Sequence, residues 1–282
     1  MRIYYINPDG KRFDFEDGIK VTQVSGINPS CAVTMEENAF GDGADYIGER
    51  INSRNILLTL YPCCDYDEAR TILGKIFYGN GEGKLGFIYD NGEERRITCR
   101  FESMTAVLTA RPGTIQVSLL CSDPYFYKDG PLTLICGVVD LWEFDDWELS
   151  EDDSFEFGNI SSGRSTVVSN DGEVDSGCII RIGINFHIDG VKIIKAYTND
   201  YIALRGSFEP GDIITIDTRP RRKAIKLGNI HSTAETDIMP RLIWGSTFFS
   251  IPRGGGRIIV ERESGDRSFD VTMQIDERYR GV

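Results

Sequence analysis

The sequence predicts a mostly β protein: an N-terminal β-sandwich-like domain with one α-helix, followed by a second β-sandwich. Three observations predict this. Apolar residues alternate with polar ones along many short segments, the period of a half-buried strand. Turn dipeptides recur along the chain at Asp9-Gly10, Asp17-Gly18, Asn91-Gly92, Asp171-Gly172 and Asp189-Gly190. One segment alone carries a clear helical period. At 282 residues the chain has room for about two domains.

The elements follow in order. Phe13 and Phe15 alternate near the start. Residues 24–50 differ, because Gly26, Pro29, Gly41, Gly43 and Gly48 interrupt the one short apolar run Ala32-Val33-Thr34-Met35. That pattern fits either a long loop with one short strand or an extended arm. Ile56, Leu58 and Leu60 then alternate as a strand. Ala69, Ile72, Leu73, Ile76 and Phe77 follow the i, i+3, i+4, i+7, i+8 rule of an amphipathic helix over about residues 65–78. Asp65, Asp67 and Glu68 suit its positive end, and Gly79 sits where a left-handed residue closes a helix.

The next strand places Ile115, Val117, Leu119 and Cys121 on one face and Gln116 and Ser118 on the other. It runs into Cys121-Ser122-Asp123-Pro124-Tyr125-Phe126-Tyr127. Asp123-Pro124 ends the strand, since proline has no N–H to give and restricts the residue before it. Three aromatics follow, then Lys128-Asp129-Gly130-Pro131 as a turn. The domain boundary is expected near residues 129–133, giving domains of 1–132 and 133–282.

In the second domain, residues 134–157 mix Trp142, Phe144, Trp147, Phe155 and Phe157 with acidic residues, and 159–163 reads as a loop. Residues 184–188 and 191–194 flank Asp189-Gly190 and read as a hairpin. Pro210-Gly211 turns the chain into the strand of Ile213 to Ile216, and Arg219-Pro220-Arg221-Arg222-Lys223 is a basic tip before the strand of Ala224 to Leu227. Val271, Met273 and Ile275 alternate near the end. Even spacing of this kind indicates a sandwich or barrel.

The segment Cys121, Asp123, Pro124, Tyr125 and Phe126, read with its surroundings, resembles the distal tail proteins of long-tailed phages and prophages of Gram-positive bacteria. The surroundings that carry the resemblance are Gly48-Glu49-Arg50 leading into Ile56-Leu57-Leu58-Thr59-Leu60 and the helix. Downstream they are Phe208-Glu209-Pro210-Gly211-Asp212 and the run Phe248-Phe249-Ser250-Ile251-Pro252-Arg253-Gly254-Gly255-Gly256. The resemblance implies a galectin-like second domain. It also implies a structural hub, a homo-hexameric ring at the distal end of the tail, with residues 24–50 as the arm clasping a neighbouring subunit. The partners it implies are the tail tube protein, a tail-tip or tail-associated lysin-like protein, and receptor-binding or baseplate proteins. The protein would reside in the virion at the tail tip, after synthesis in the bacterial cytoplasm.

Charge and composition narrow the functions. The net charge is −13. Residues 1–130 hold 14 basic and 19 acidic side chains, residues 131–165 hold 1 and 9, and residues 166–282 hold 16 of each. Specific nucleic-acid binding is not expected, because phosphate affinity comes from clustered Lys and Arg. No run of 18 apolar residues suggests a membrane span, and the N-terminus lacks the apolar core of a signal peptide. The seven cysteines, at 31, 63, 64, 99, 121, 136 and 178, lack metal-ligand spacing and are expected to stay reduced.

No catalytic residue, cofactor or metal is expected. His187 falls on the polar side of its segment and His231 in a loop, with no Gly-x-Ser-x-Gly elbow to support a triad. Gly254-Gly255-Gly256 precedes a strand, not a phosphate-binding helix. The alternative function is a carbohydrate-binding, lectin-like tail-tip module using Trp244, Trp142 or Trp147 as a stacking surface. Against it, the segment around His187-Ile188-Asp189 lacks the Asn, Arg, Trp and Glu that make up a galectin sugar site.

Overall fold

The computed structural model describes residues 1–15, 18–38, 41–78, 81–107, 113–139, 159–161, 165–261, 264–265 and 269–282. The calls of a capping Gly79, of Asp17 in a turn, and of Trp142, Phe144, Trp147, Phe155 and Phe157 as strand residues lie outside the described residues. The chain forms two compact units, one of residues 1–128 with 278–282, the other of residues 129–277.

The first unit contains β1 (Arg2–Ile6), β2 (Arg12–Asp14), β3 (Ile19–Ser25), β4 (Cys31–Glu37), β5 (Ala44–Ile51), β6 (Arg54–Pro62), α1 (Tyr66–Ile76), β7 (Gly83–Ile88), β8 (Glu94–Val107), β9 (Thr114–Cys121) and the start of β10 (Phe126–Val139). All described pairings are antiparallel. β8 is the hinge of this unit. Its first half pairs with β7, from Glu94↔Ile88 to Cys99↔Gly83. Its second half pairs with β9, from Arg100↔Leu120 onward, and a bulge between Phe101 and Ser103 turns the strand. One sheet thus runs β8-β7-β1-β2 and the other β3-β6-β9-β8.

The core between these layers is what the alternation predicts. Ile56, Leu58 and Leu60 from β6 meet Ile115, Val117, Leu119 and Cys121 from β9, all buried. The helix adds Ala69, Leu73 and Ile76, and Phe77 follows just beyond it. Phe77 sits 4.6 Å from the Tyr5 ring and 6.0 Å from Phe101, centroid to centroid. Asp65 caps the helix by accepting from the Asp67 N–H at 3.3 Å. Gly86 in β7 leaves the space that the Tyr4 ring fills, since a Cβ there would lie 2.0 Å from the ring.

Two expectations differ here. Ile72, assigned to the apolar stripe, is exposed. Ser118, assigned to the polar face of β9, is buried. It can be, because its hydroxyl donates to Glu102 Oε2 at 2.7 Å and so carries no orphaned polar group.

The second unit contains β11 (Asn159–Ser161), β12 (Ser165–Val168), β13 (Cys178–Ile184), β14 (Ile188–Lys195), β15 (Tyr201–Phe208), β16 (Asp212–Asp217), β17 (Ala224–Asn229), β18 (Ser232–Asp237), β19 (Gly256–Glu261), β20 (Ser264–Gly265) and most of β21 (Phe269–Tyr279). One sheet runs β18-β17-β16-β13-β21, the other β12-β19-β14-β15. Ile180, Ile182, Ile214, Ile216, Val271 and Met273 from the first pack with Ile193, Ile202, Leu204 and Ile258 from the second in one buried cluster. This is a β-sandwich, and the mostly β class read from the sequence holds for the described residues.

The hairpin expected around Asp189-Gly190 does not form. β14 runs straight through that dipeptide, pairing with β15 on both sides, and the register slips between Asp189 and Val191. Gly190 has φ +78°, the backbone a bulge needs as readily as a turn. The chain instead passes from one sheet to the other between Ile184 and Ile188, where Phe186 is exposed rather than in a strand.

Candidate functional site

Three features of the described surface invite a partner or define the motif. The first is the β4–β5 hairpin. β4 and β5 pair only with each other, from Cys31↔Ile51 to Glu37↔Ala44, in a two-stranded sheet of their own. The expectation of a loop with one short strand is therefore corrected to a regular hairpin. Of the glycines that suggested irregularity, Gly41 and Gly43 sit at its tip, Gly48 at the register slip near Thr34 and Met35, and Gly26 between β3 and β4. Val33, Met35, Tyr46 and Ile47 are 48%, 61%, 61% and 59% exposed. Met35 faces Tyr46 across the pair, and Cys31 faces Ile51. Glu36, Glu37, Asp42, Asp45 and Glu49 surround this apolar strip, with Arg50 the one basic residue of the segment 31–51. An isolated two-stranded hairpin is marginal in water, and scattered large apolar groups along it are the composition of a contact surface.

The second feature is the Cys121-to-Phe126 motif. Cys121 is buried as the last residue of β9. Asp123 Oδ1 accepts from the Tyr125 N–H at 3.3 Å, a local turn that seats Pro124. Asp123 also accepts from Arg278 Nη2 at 3.0 Å, and the Arg278 guanidinium lies 4.0 Å from the Tyr125 ring centroid. Tyr125 is half-buried beneath it. Phe126 is fully buried, edge-on to Phe87 at 5.7 Å and 4.9 Å from the Arg54 guanidinium.

Arg54 was not singled out from the sequence, yet it ties this corner together. Its Nη1 donates to Ile27 O and its Nη2 to Arg280 O, both at 2.7 Å. Burial lowers its pKa, opposed by the field of nearby Cys121 and Asp123. No local pattern marks it, because both acceptors are backbone carbonyls far away in sequence. Asp123 and Tyr125 thus contact Arg278 directly, and Phe126 packs on the Arg54 that holds Arg280.

The third feature is an open cavity of about 870 Å³ in the second unit, lined by Arg205, Leu242, Ile243, Trp244, Gly245 and Ser246. Trp244 is 98% exposed. Elsewhere in this unit His187 lies between Glu209, 3.0 Å from its Nδ1, and Asp189, 3.3 Å from its Nε2. The hydrogen bond that His187 donates to Glu209 raises its pKa above the ordinary imidazole value. Among the described residues no group of three His, Cys, Asp or Glu could hold a metal ion. Among the described residues no helix is long and apolar enough to cross a membrane.

Residues 171–279, which form the core strands of the second unit, match the family model of the siphovirus-type tail component, C-terminal domain. The structural matches have the same character. The Dit protein (gp 19.1) of phage SPP1, described as a paradigm of the hub adsorption apparatus in phages infecting Gram-positive bacteria, superposes with TM-score 0.71 at 15% identity over 98% of both chains. A chain of the phage P2 baseplate in its activated conformation with Ca gives TM-score 0.63 at 12% identity, covering 100% of both chains. The same baseplate with Sr gives 0.61 at 11% identity, over 100% of this chain and 99% of that one. A search of curated proteins found no match. The family match thus covers residues 171–279, and the solved structures share the fold of this chain.

Proposed function

We propose that this chain is the hub at the distal end of a phage or prophage tail, assembling as a hexameric ring that joins the tail tube to baseplate or tail-tip proteins. Residues 1–132 build the ring wall and stack on the tube. Residues 133–282 project from it and carry receptor-binding or baseplate proteins, with a tail-associated lysin-like protein beyond. The β4–β5 hairpin is the clasp, laying its apolar strip on the neighbouring copy. Ring contacts of this kind are heterologous and must close on themselves, which a protruding arm allows. The observation that carries the reading is that hairpin: it joins neither larger sheet of its own unit and keeps four large apolar side chains exposed.

Light scattering on the purified protein over a range of concentrations tests the reading. A hexamer or a double ring of hexamers that grows with concentration is expected. A monomer at the highest concentration sinks the ring.

A second reading, a lectin-like tip, is favoured by the cavity beside the exposed Trp244 with Arg205 in its lining. Indole faces stack on sugar rings as they do on other ligands. A glycan screen with the full chain and with Trp244→Ala separates the two readings. The hub reading expects no binding by either, and binding lost in the variant favours the lectin.

A further inference from the structure

Two buried thiols of the first unit have no part in the assembly described above. Cys99 lies in β8 and Cys121 ends β9, and both are unbridged and buried. The antiparallel register runs through Arg100↔Leu120 and Phe101↔Leu119. Continued one residue past its last paired positions, that register sets Cys99 opposite Cys121, and Cys99 lies within the field of the Cys121 sulfur. Directly opposed residues of antiparallel strands have Cα atoms about 4.5–5.5 Å apart, inside the span of roughly 4.4–6.8 Å that a disulfide bridges. Neighbouring strands hold both cysteines in register, through Cys99↔Gly83 and Cys121↔Arg54.

We propose that Cys99 and Cys121 form a latent crosslink site, closing to an intramolecular disulfide when the folded protein meets a low-molecular-weight disulfide. One thiol loses its proton, and the thiolate attacks a sulfur of the small disulfide, expelling one small thiolate and leaving a mixed disulfide. The second cysteine, deprotonated in turn, attacks the protein sulfur of that mixed disulfide and expels the other small thiolate. Two protein thiols are oxidised, one small disulfide is reduced to two thiols, and the released protons end on those thiols.

The neighbouring Cys121 thiol, together with burial, raises the pKa of Cys99. The closed strand pair therefore reacts slowly, and reaction passes through transient opening of the β8–β9 end. Exposed Cys31 and Cys63 react first, but neither has a partner placed across a ladder from it among the described residues. The crosslink joins the two sheets' shared strand to β9 and restricts the unfolded chain.

The test uses the full chain with Cys31→Ser and Cys63→Ser, incubated with oxidised glutathione a few degrees below its melting temperature. Peptide mapping without reduction and melting with and without reductant are the readouts. The expected result is a linked peptide pair containing Cys99 and Cys121, and a melting temperature several degrees higher when oxidised. Cys121→Ala should abolish both, and Cys99→Ala serves if that variant folds poorly. The map of the unsubstituted core stands independently of either. Free Cys99 and Cys121 after prolonged incubation, or stable glutathione adducts on them without a link, would overturn the proposal.

Discussion

The guanidinium of Arg278 lies 4.0 Å from the ring centroid of Tyr125. It clips a residue near the end of the chain onto the aromatic motif that follows β9. The same guanidinium donates to Asp123 at 3.0 Å. Just beyond it, Arg54 and Arg95 grip the backbone carbonyls of Arg280 and Gly281. Tyr279 is buried under Arg95, whose guanidinium is 3.7 Å from its ring centroid.

Arg278→Ala removes one cation–π contact and one partly exposed ion pair, together about 1–2 kcal/mol. Removing residues 278–282 should cost more, because buried Arg54 then loses an acceptor and the Tyr279 site empties. Melting of the two variants should show a small drop for the first and a larger one for the second. Equal, negligible effects would mean that the tail is dispensable.

Phe126 is fully buried against Phe87 and Arg54. Phe126→Ala should destabilise the first unit by about 3–5 kcal/mol. That is roughly ten degrees or more in melting temperature for a unit of this size. An unchanged melting point with lost assembly would move the residue's role to a subunit contact.

The hairpin gives the opposite pattern. Deleting residues 36–48 should leave the melting temperature nearly unchanged, because Met35, Tyr46 and Ile47 pack in neither core cluster. Assembly should weaken. Tyr46→Glu is a milder variant, setting another carboxylate into an already acidic strip. Sedimentation velocity reads both. Unfolding of the first unit on deletion would make the hairpin part of its core.

His187 supplies a pH test. Its folded pKa is raised, chiefly by the hydrogen bond it donates to Glu209. A raised folded pKa means that the protonated form is stabilised by folding. The increment is fully present below the unfolded value of about 6.5 and is lost as pH rises through the folded value. The second unit should therefore lose a little stability from just below neutrality upward, and His187→Gln should flatten that slope. An NMR titration placing His187 at or below the ordinary imidazole value would contradict it.

Much of this architecture is written in local pattern. The 56/58/60, 115/117/119/121 and 271/273/275 alternations each point to a buried face, and each is buried. The 69, 73, 76, 77 spacing marks the inner face of α1, although Ile72 beside it points out. Local pattern fails where one signal serves two geometries. Asp-Gly supplies a positive-φ glycine to a tight turn or to a bulge, and only the partner strand decides between them. Ser118 looks solvent-facing until Glu102, across the ladder, satisfies its hydroxyl. The glycines of residues 24–50 suggest a long loop with one short strand or an arm, until β4 and β5 are seen to pair. The grip of Arg54 on Arg280 spans 226 residues, and no spacing rule reaches that far. The facing of Cys99 and Cys121 needs the β8–β9 register, which no reading of either strand alone provides.

The first unit holds residues at both ends of the chain, while 129–277 belong wholly to the second. In genetic terms the second unit is an insert carried by a host. Natural exchange or laboratory splicing can replace everything between Lys128 and Arg278 and leave the host's core and closing strap in place. Joining those two residues through a short linker would give a minimal host still strapped by its own C-terminus. Sequence diversity can then accumulate in one cassette, residues 129–277, while the unit that brackets it stays constant.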